Sequence, residues 1–268
     1  MFRRRDRIEV KTSEELLLMR RAGLVVARAL REMAAATAPG VTTADLDALA
    51  RDVLREEGAT SSFLGYHGFP AVLCASVNDE VVHGIPGPRV LAEGDLVSLD
   101  FGAIVEGWHG DAAVTVPVGE VAPEHLELSA VTEDALWAGL ARAVVGGRLS
   151  DIGNAVETTV RARGSYGIVE EYVGHGIGSA MHMEPNVPNY GPPGKGPRLE
   201  AGMALAVEPQ VVLGPRHVRV LDDDWTVVTA RGAIAAHWEH TVAITPEGPW
   251  VLTAEDGGAV RLGLPPRD

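Results

Sequence analysis

The sequence contains one cysteine, Cys74, so no disulfide can form within the chain, and a reducing compartment is the simpler setting. No apolar run approaches the ~18 residues of a membrane-spanning helix, and the first residues lack the apolar core of a secretion signal. The expectation is a soluble cytoplasmic protein with no membrane partner. Positive charge is scarce as well, with 23 Lys and Arg against 37 Asp and Glu and a formal net charge of -14. Binding to nucleic acid needs clustered cations that displace counterions from phosphate, so no nucleic acid is expected as a partner. The one basic cluster, Arg3, Arg4, Arg5 and Arg7, reads as a solvated terminus. Several catalytic signatures are missing too. There is no His-Glu-x-x-His stretch, P-loop, dinucleotide-binding glycine fingerprint or Gly-x-Ser-x-Gly elbow.

What is present is a chain of 268 residues, 46% hydrophobic, long enough to bury a core as one domain or two closely packed halves. Thr12-Ser13-Glu14-Glu15 has the pattern of a capping box and predicts a helix carrying Leu16, Met19, Leu24, Val26, Leu30 and Met33, ending before Pro39-Gly40. A second helix is predicted from about Thr43 to Gly58, with Leu46, Leu49, Val53 and Leu54 as its buried stripe. From Ala71 to Val116 the texture changes to short β-rich runs such as Ala71-Val72-Leu73-Cys74 and Leu96-Val97-Ser98-Leu99. After Pro123 a long helical stretch reaches about Val145, and Ser150-Asp151-Ile152 opens another that stops at Gly164. The segment Pro185 to Pro197 reads as a loop between strands.

The second half echoes the first. Leu46 and Ile152 stand 106 positions apart, and the same offset aligns Asp45 with Asp151, Arg55 with Arg161 and Gly58 with Gly164. Allowing for loops, His83-Gly84-Ile85 is matched by His175-Gly176-Ile177, and the stretch Gly94 to Asp100 by Gly202 to Glu208. Two copies of helix, helix and strands are therefore expected to face one another, each offering a His and then a carboxylate.

The chemistry is expected where charge sits in apolar sequence. One strand ending in Leu99-Asp100-Phe101 and another reaching Asp111 through Trp108-His109-Gly110 place two acids on neighbouring turns of a sheet. Such a pair must share a proton, bind a cation or repel, although either Asp alone reads more readily as a turn or cap. His175, Glu208 and Glu239 lie in runs that are otherwise apolar and β-prone. An ionised carboxylate buried there is costly unless paired or metal-bound, and no Lys and too few Arg lie nearby in sequence to pair with them. Four acids and one imidazole suit hard or borderline divalent ions such as Mn, Fe(II), Co or Zn, and the surplus of carboxylates over one ion's needs points to two ions with shared ligands. Hydrolysis is the natural chemistry of such a centre. His83 and His182 are candidates for roles around it, while Cys74 reads as a buried or pocket-lining thiol and not as a nucleophile.

Taken together, these stretches resemble the type I methionine aminopeptidases of the pita-bread fold, over nearly the whole chain from Thr12 to Pro249. The resemblance is carried by Cys74 to Pro86, Gly110-Asp111, Gly174-His175-Gly-Ile-Gly178, Met203 to Pro209, and Trp238-Glu239-His240-Thr241. It implies an α+β fold of two pseudo-twofold-related halves, with a curved, mainly antiparallel sheet covered by helices. The expected organisation is a short segment 1–11, a catalytic domain 12–252 with halves 12–118 and 123–252, and a tail 253–268. By position, the resemblance makes Asp100, Asp111, His175, Glu208 and Glu239 the ligands of two divalent ions, with Asp111 and Glu239 bridging. It places His83 and His182 on the scissile amide and its carbonyl oxygen, makes a bridging hydroxide the nucleophile, and gives Glu208 the proton-shuttle role. It maps the methionine pocket to Tyr66, Phe69, Cys74, Met181 and Trp225, with His67 at the rim and Met181 where many members carry Phe. Considered singly, those pocket residues read as ordinary core. The implied substrates are N-terminal segments of nascent polypeptides, at the ribosome or free of it, cut by a monomer that prefers a small second residue. The short interval from His182 to Glu208 leaves no room for the insertion of type II enzymes, and the large N-terminal domain of prolidases, aminopeptidases P and creatinases is absent. The competing reading is a non-catalytic pita-bread relative that binds nascent chains or ribosomes as an interaction module, a group that characteristically loses metal ligands.

Overall fold

The structure is a computed structural model that describes residues 8–267; the Arg3, Arg4, Arg5 and Arg7 cluster lies outside the described residues. The first helix, α1 (Ser13–Ala36), begins at the expected capping box. Thr12 Oγ1 accepts from the Glu15 N–H at 3.2 Å, and Glu15 Oε2 accepts from the Thr12 N–H at 2.7 Å. Helix α2 (Thr43–Glu57) repeats the device with Thr42 and Asp45 and ends at Gly58, which takes the left-handed conformation at φ 63°. Helix α3 (Pro123–Leu140) has Pro123 in its first turn, where a missing N–H costs nothing. It stops short of the expected Val145, because Arg142 and Ala143 tighten onto carbonyls three residues back and Gly146 turns the chain at φ 90°. Helix α4 (Leu149–Arg163) starts where the Asp151 carboxylate accepts from the Arg148 N–H at 2.8 Å. Helices α2 and α4 begin at residues 43 and 149 and end at 57 and 163, the same offset of 106 at both ends. A short helix, α5 (Ala259–Leu262), closes the described chain.

Among the described residues the main sheet has nine strands, all paired antiparallel. Its path runs Thr60–Ser61, Leu96–Val105, Trp108–Pro117, Glu239–Thr245, Ala204–Val207, Gly174–Gly176 and Met183–Val187. Leu73–Val77 joins Leu96–Val105 as a branch, and Gly248–Val251 joins Glu239–Thr245. The α+β class expected from sequence is thus realised as a sheet covered by helices. One apolar core lies between the first two helices and the Leu96–Pro117 hairpin, with Met33, Leu46, Val53 and Phe101 in it. Another gathers Leu136, Leu140, Ile152 and Val156 of α3 and α4 against Leu205, Val207 and Val242. No helix among the described residues is long and apolar enough to cross a membrane.

Two expectations need correction. Asp100 does not lie at the end of its strand and neither acid sits in a turn, because the hairpin turn falls between them, at Glu106 (φ 50°) and Gly107 (φ 85°), whose paired positive φ values match the twist of the strands. Of the apolar residues that α1 carries, Leu24 is 40% exposed, while Arg20 and Gly23 are buried. Pro185 to Pro197 is not all loop, since a strand continues to Val187.

Gly23 and Gly110 explain how α1 can lie so close to the strand bearing Asp111. A Cβ at Gly23 would fall 2.2 Å from the Leu252 carbonyl oxygen, and one at Gly110 would fall 2.8 Å from the Gly23 nitrogen. The buried Arg20 guanidinium locks the same crossing, donating to the carbonyls of Leu252 at 2.8 Å and Glu255 at 2.7 Å. Glycine inside a helix costs about 1 kcal/mol relative to Ala in isolation. Here contact outweighs propensity. Gly110→Ala is therefore expected to destabilise the protein by roughly 1–3 kcal/mol, the usual cost of overpacking. The midpoint of urea unfolding measures it, and an unchanged midpoint would show that the helix is not held at this distance.

Candidate active site

Antiparallel register sets the site. Asp100 lies opposite Cys74 on one side and Ala113 on the other, and Ala113 in turn lies opposite Glu239. Directly opposed residues share a face, as do residues two apart in a strand, so Cys74, Asp100, Asp111 and Glu239 all project from one side of the sheet. Two strands further on, His175 pairs with Ala206 and Ala206 with Thr241, which places the imidazole on that same side. Glu208 follows the end of Ala204–Val207. Asp100, Asp111, His175 and Glu239 are each 9% exposed or less.

These groups converge on a cavity of about 260 Å³. Its lining includes every residue expected from sequence: the ligand set Asp100, Asp111, His175, Glu208 and Glu239; His83 and His182; and Tyr66, His67, Phe69, Cys74, Met181 and Trp225. Phe63, Tyr172 and Val173 also line it and were not foreseen. Nothing in their sequence setting distinguishes them from ordinary core or loop residues.

At one end the walls are apolar. Phe69 packs edge-on against Trp225 with ring centroids 5.0 Å apart and against Phe63 at 6.4 Å, with Met181 and Cys74 in the same cluster. Trp225 is presented by a turn in which Asp223 Oδ1 accepts from the N–H groups of Trp225 and Thr226, at 2.9 and 2.8 Å. His83, held at a positive φ of 59°, stacks edge-on with Tyr172 at 5.6 Å and Trp225 at 6.1 Å. The His182 ring lies 4.3 Å from that of His175, and its Nδ1 is 2.8 Å from the Tyr66 hydroxyl.

At the other end the charge is uncompensated. Asp111, His175 and Glu239 each offer a ligand atom within 4.8 Å of the other two, and so do Glu208, His237 and Glu239. Asp100 belongs to neither group, although its carboxylate lines the same cavity. His175 Nε2 is 3.5 Å from Glu208 Oε1. Asp100 Oδ1, Asp111 Oδ1, Glu239 Oε1 and His237 Nε2 are all buried without a hydrogen-bond partner. Burial pushes the Asp100 carboxyl up to about 7. Burial, and then the neighbouring acids, push Asp111, Glu208 and Glu239 well above the usual carboxylate range. Burial, and then His182, pull His175 down to about 3 and His83 to about 4. Burial and then Asp100 raise the Cys74 thiol, which stays protonated and is no nucleophile. Without a cation these acids protonate and the imidazoles stay neutral. A divalent ion supplies the missing charge, and oxygen-rich donors with an imidazole are the donor set it prefers.

Residues 17–246 match the model of metallopeptidase family M24. The chain belongs to that family. Within M24 it is similar to methionine aminopeptidase 1 of Mycobacterium tuberculosis, at 54% identity over 94% of this chain and 97% of that protein. The Bacillus subtilis methionine aminopeptidase 1 is 49% identical over 91% of this chain and 98% of its own length. Among solved structures, the methionine aminopeptidase of Thermotoga maritima superposes with a TM-score of 0.91 at 42% identity, covering 93% of this chain and all of that one. The prolidase from Pyrococcus furiosus shares the M24 fold at a TM-score of 0.73 and 20% identity, with 65% of its chain covered. The pita-bread architecture expected from sequence is therefore the architecture found.

The buried charges give the metal-free protein a specific pH response. A carboxyl raised in the folded state binds more protons folded than unfolded, so it removes stability as pH rises toward its folded value. Histidines lowered in the folded state act oppositely, but only below about 6.5, where the unfolded imidazole still takes a proton. Above pH 6.5 the carboxyls act alone. Thermal unfolding of metal-free protein between pH 6.5 and 8 is expected to show a falling midpoint, reversed by Mn²⁺ or Co²⁺. A midpoint that rises with pH in the metal-free protein would contradict the burial of these acids.

Proposed function

We propose that the chain is a methionine aminopeptidase that hydrolyses the first peptide bond of N-terminal segments of nascent polypeptides. The observation that carries this reading is the union, in one cavity, of an unpaired acid and imidazole cluster with a slot walled by Phe69, Met181, Trp225 and Cys74. Asp100, Asp111, His175, Glu208 and Glu239 would hold two divalent ions, with the carboxylates of Asp111 and Glu239 shared between them. Co, Mn, Fe(II) and Zn all suit these donors, and availability selects among them. Ions bound there act as Lewis acids and lower the pKa of water. The protein works in the cytoplasm as a monomer on chains emerging from the ribosome, a setting that suits its single buried thiol.

The chain's own residues supply the rest. An unbranched thioether fits a slot of aromatic rings and Met181, whose polarisable surfaces favour sulfur. Glu208 takes a proton from the attacking water and passes it to the departing amide nitrogen. His182, with Nδ1 occupied by the Tyr66 hydroxyl, is left with Nε2 to donate to the substrate carbonyl oxygen as negative charge grows there. His83 contacts the scissile amide.

Purified protein is expected to release methionine from a Met-Ala-Ser peptide only with divalent metal present, and to cut Met-Ala far faster than Met-Lys or Leu-Ala. Equal rates on all three at saturating metal would overturn the assignment. His182→Ala is expected to fold and bind its ions normally while kcat falls by about 10²–10³ and KM changes little, the pattern of a lost transition-state contact. Full kcat in this variant, or joint loss of metal and stability, would remove His182 from that role.

A further inference from the structure

Two polar side chains lie beside the acid cluster without a task in the mechanism above. Gln210 and His237 are cross-strand partners in the small sheet of Gln210–Val212, Ala235–His237 and Gly167–Ile168. They are 0% and 1% exposed, and neither lines the cavity. Gln210 Nε2 donates to Glu208 Oε2 at 2.9 Å. His237 Nε2 lies 3.8 Å from Glu239 Oε2 and 3.9 Å from Glu208 Oε2, and it has no hydrogen-bond partner. A buried donor or acceptor left in this state is costly, so an orphan aimed at two carboxylates marks an interaction the site is built to make.

The backbone keeps His237 there. Its N–H reaches Thr115 Oγ1 at 3.0 Å and Ser98 Oγ at 3.2 Å, and its carbonyl accepts from Thr115 Oγ1 at 2.7 Å. Ser98 and Thr115 are themselves opposed residues of the hairpin that carries Asp100 and Asp111. The ring is thus tied to the strands that bear the other acids.

We infer that Gln210 and His237 are positioning residues that back the carboxylates of Glu208 and Glu239 on their Oε2 side and so fix how both face the divalent ions. The inference rests on the proposed ligand roles of these two glutamates. Glu208 Oε1 already faces the ligand side, 3.5 Å from His175 Nε2, while its Oε2 is taken by Gln210. Glu239 has the matching arrangement, with Oε1 buried and unpaired and Oε2 toward His237. One bracket therefore orients two ligands, and it does so through a pairing across strands. Fixing ligand orientation from behind is how outer groups tune metal affinity.

The test uses the full chain, stripped of metal and titrated with Mn²⁺ by calorimetry, as wild type, His237→Leu, His237→Gln, Gln210→Leu and Asp111→Ala. Wild type is expected to bind Mn²⁺ and Asp111→Ala to lose it. His237→Leu and Gln210→Leu are expected to keep the wild-type circular dichroism while binding Mn²⁺ roughly 10- to 100-fold more weakly. His237→Gln, which retains a donor, is expected to recover most of that loss. Electron spin echo spectra of bound Mn²⁺ are expected to show one coordinated imidazole, from His175, in wild type and in His237→Gln alike. Wild-type affinity in both Leu variants would overturn the inference while leaving the metal site intact. So would lowered stability with unchanged affinity. Two imidazole couplings in wild type, with one lost in His237→Gln, would make His237 a direct ligand and overturn its positioning role. If His237→Leu fails to fold, Gln210→Leu and His237→Gln decide the matter. Absence of Mn²⁺ binding by wild type would overturn the metal reading itself, and this inference with it.

Discussion

The cost of burying like charges governs this molecule. Asp111 and Glu239 are 3% and 2% exposed, Asp100 lies beside them, and Glu208 completes the group. Each ionised carboxylate taken out of water carries a penalty of several kcal/mol unless an opposite charge meets it. Among the described residues no Lys or Arg lines the cavity, and His83 and His175 in it are held neutral by their own burial. The chain therefore assembles a site that is satisfied either by protons or by cations. The first state is inert, and the second is the one that suits hydrolysis.

The scaffold follows from the need to hold these groups in place. An uninterrupted antiparallel register from Leu73–Val77 through the long hairpin to Glu239–Thr245 places three acids on one face without relying on loops. Asp111 is fixed further by Thr241, whose hydroxyl bonds to its backbone N–H and carbonyl at 3.1 and 2.8 Å. The close crossing of α1 at Gly23 and Gly110 presses the first helix onto the strand that carries this acid. The binding slot is built differently, from short turns around Tyr66 and Trp225. Packing fixes the acids, and turns shape the slot.

The convergence of acids and an imidazole on one cavity was legible in the sequence because charge inside apolar, β-prone runs demands a partner. His175, Glu208 and Glu239 each violate the local pattern, and Asp100 and Asp111 stand out only as a pair. The helices were legible from capping and stop signals, as Thr12 with Glu15 and Gly58 show. The slot was not legible from composition, since Phe69, Met181 and Trp225 have the sequence pattern of ordinary core; only the resemblance to a family picked them out. Phe63, Tyr172 and Val173 carried no signal at all. Gln210 and His237 were missed for another reason. Their significance depends on a cross-strand register between positions far apart in the chain, and neither residue breaks a local pattern strongly enough to show it. The place of Asp100 within its strand escaped for a different cause: an acid just before Gly102 has the pattern of a strand end, yet Ala103, Ile104 and Val105 carry the strand on to the turn at Glu106 and Gly107.

The central claim, that cations resolve the buried charge, is tested most directly by anomalous diffraction from crystals grown with Co²⁺, recorded on both sides of the cobalt absorption edge. Two anomalous peaks are expected between the carboxylates, both within coordination distance of Asp111 and Glu239, one beside His175 and the other beside Asp100. An empty cavity at saturating Co²⁺, or peaks only at surface acids, would contradict the claim and leave the cluster as protonated acids in a buried cleft.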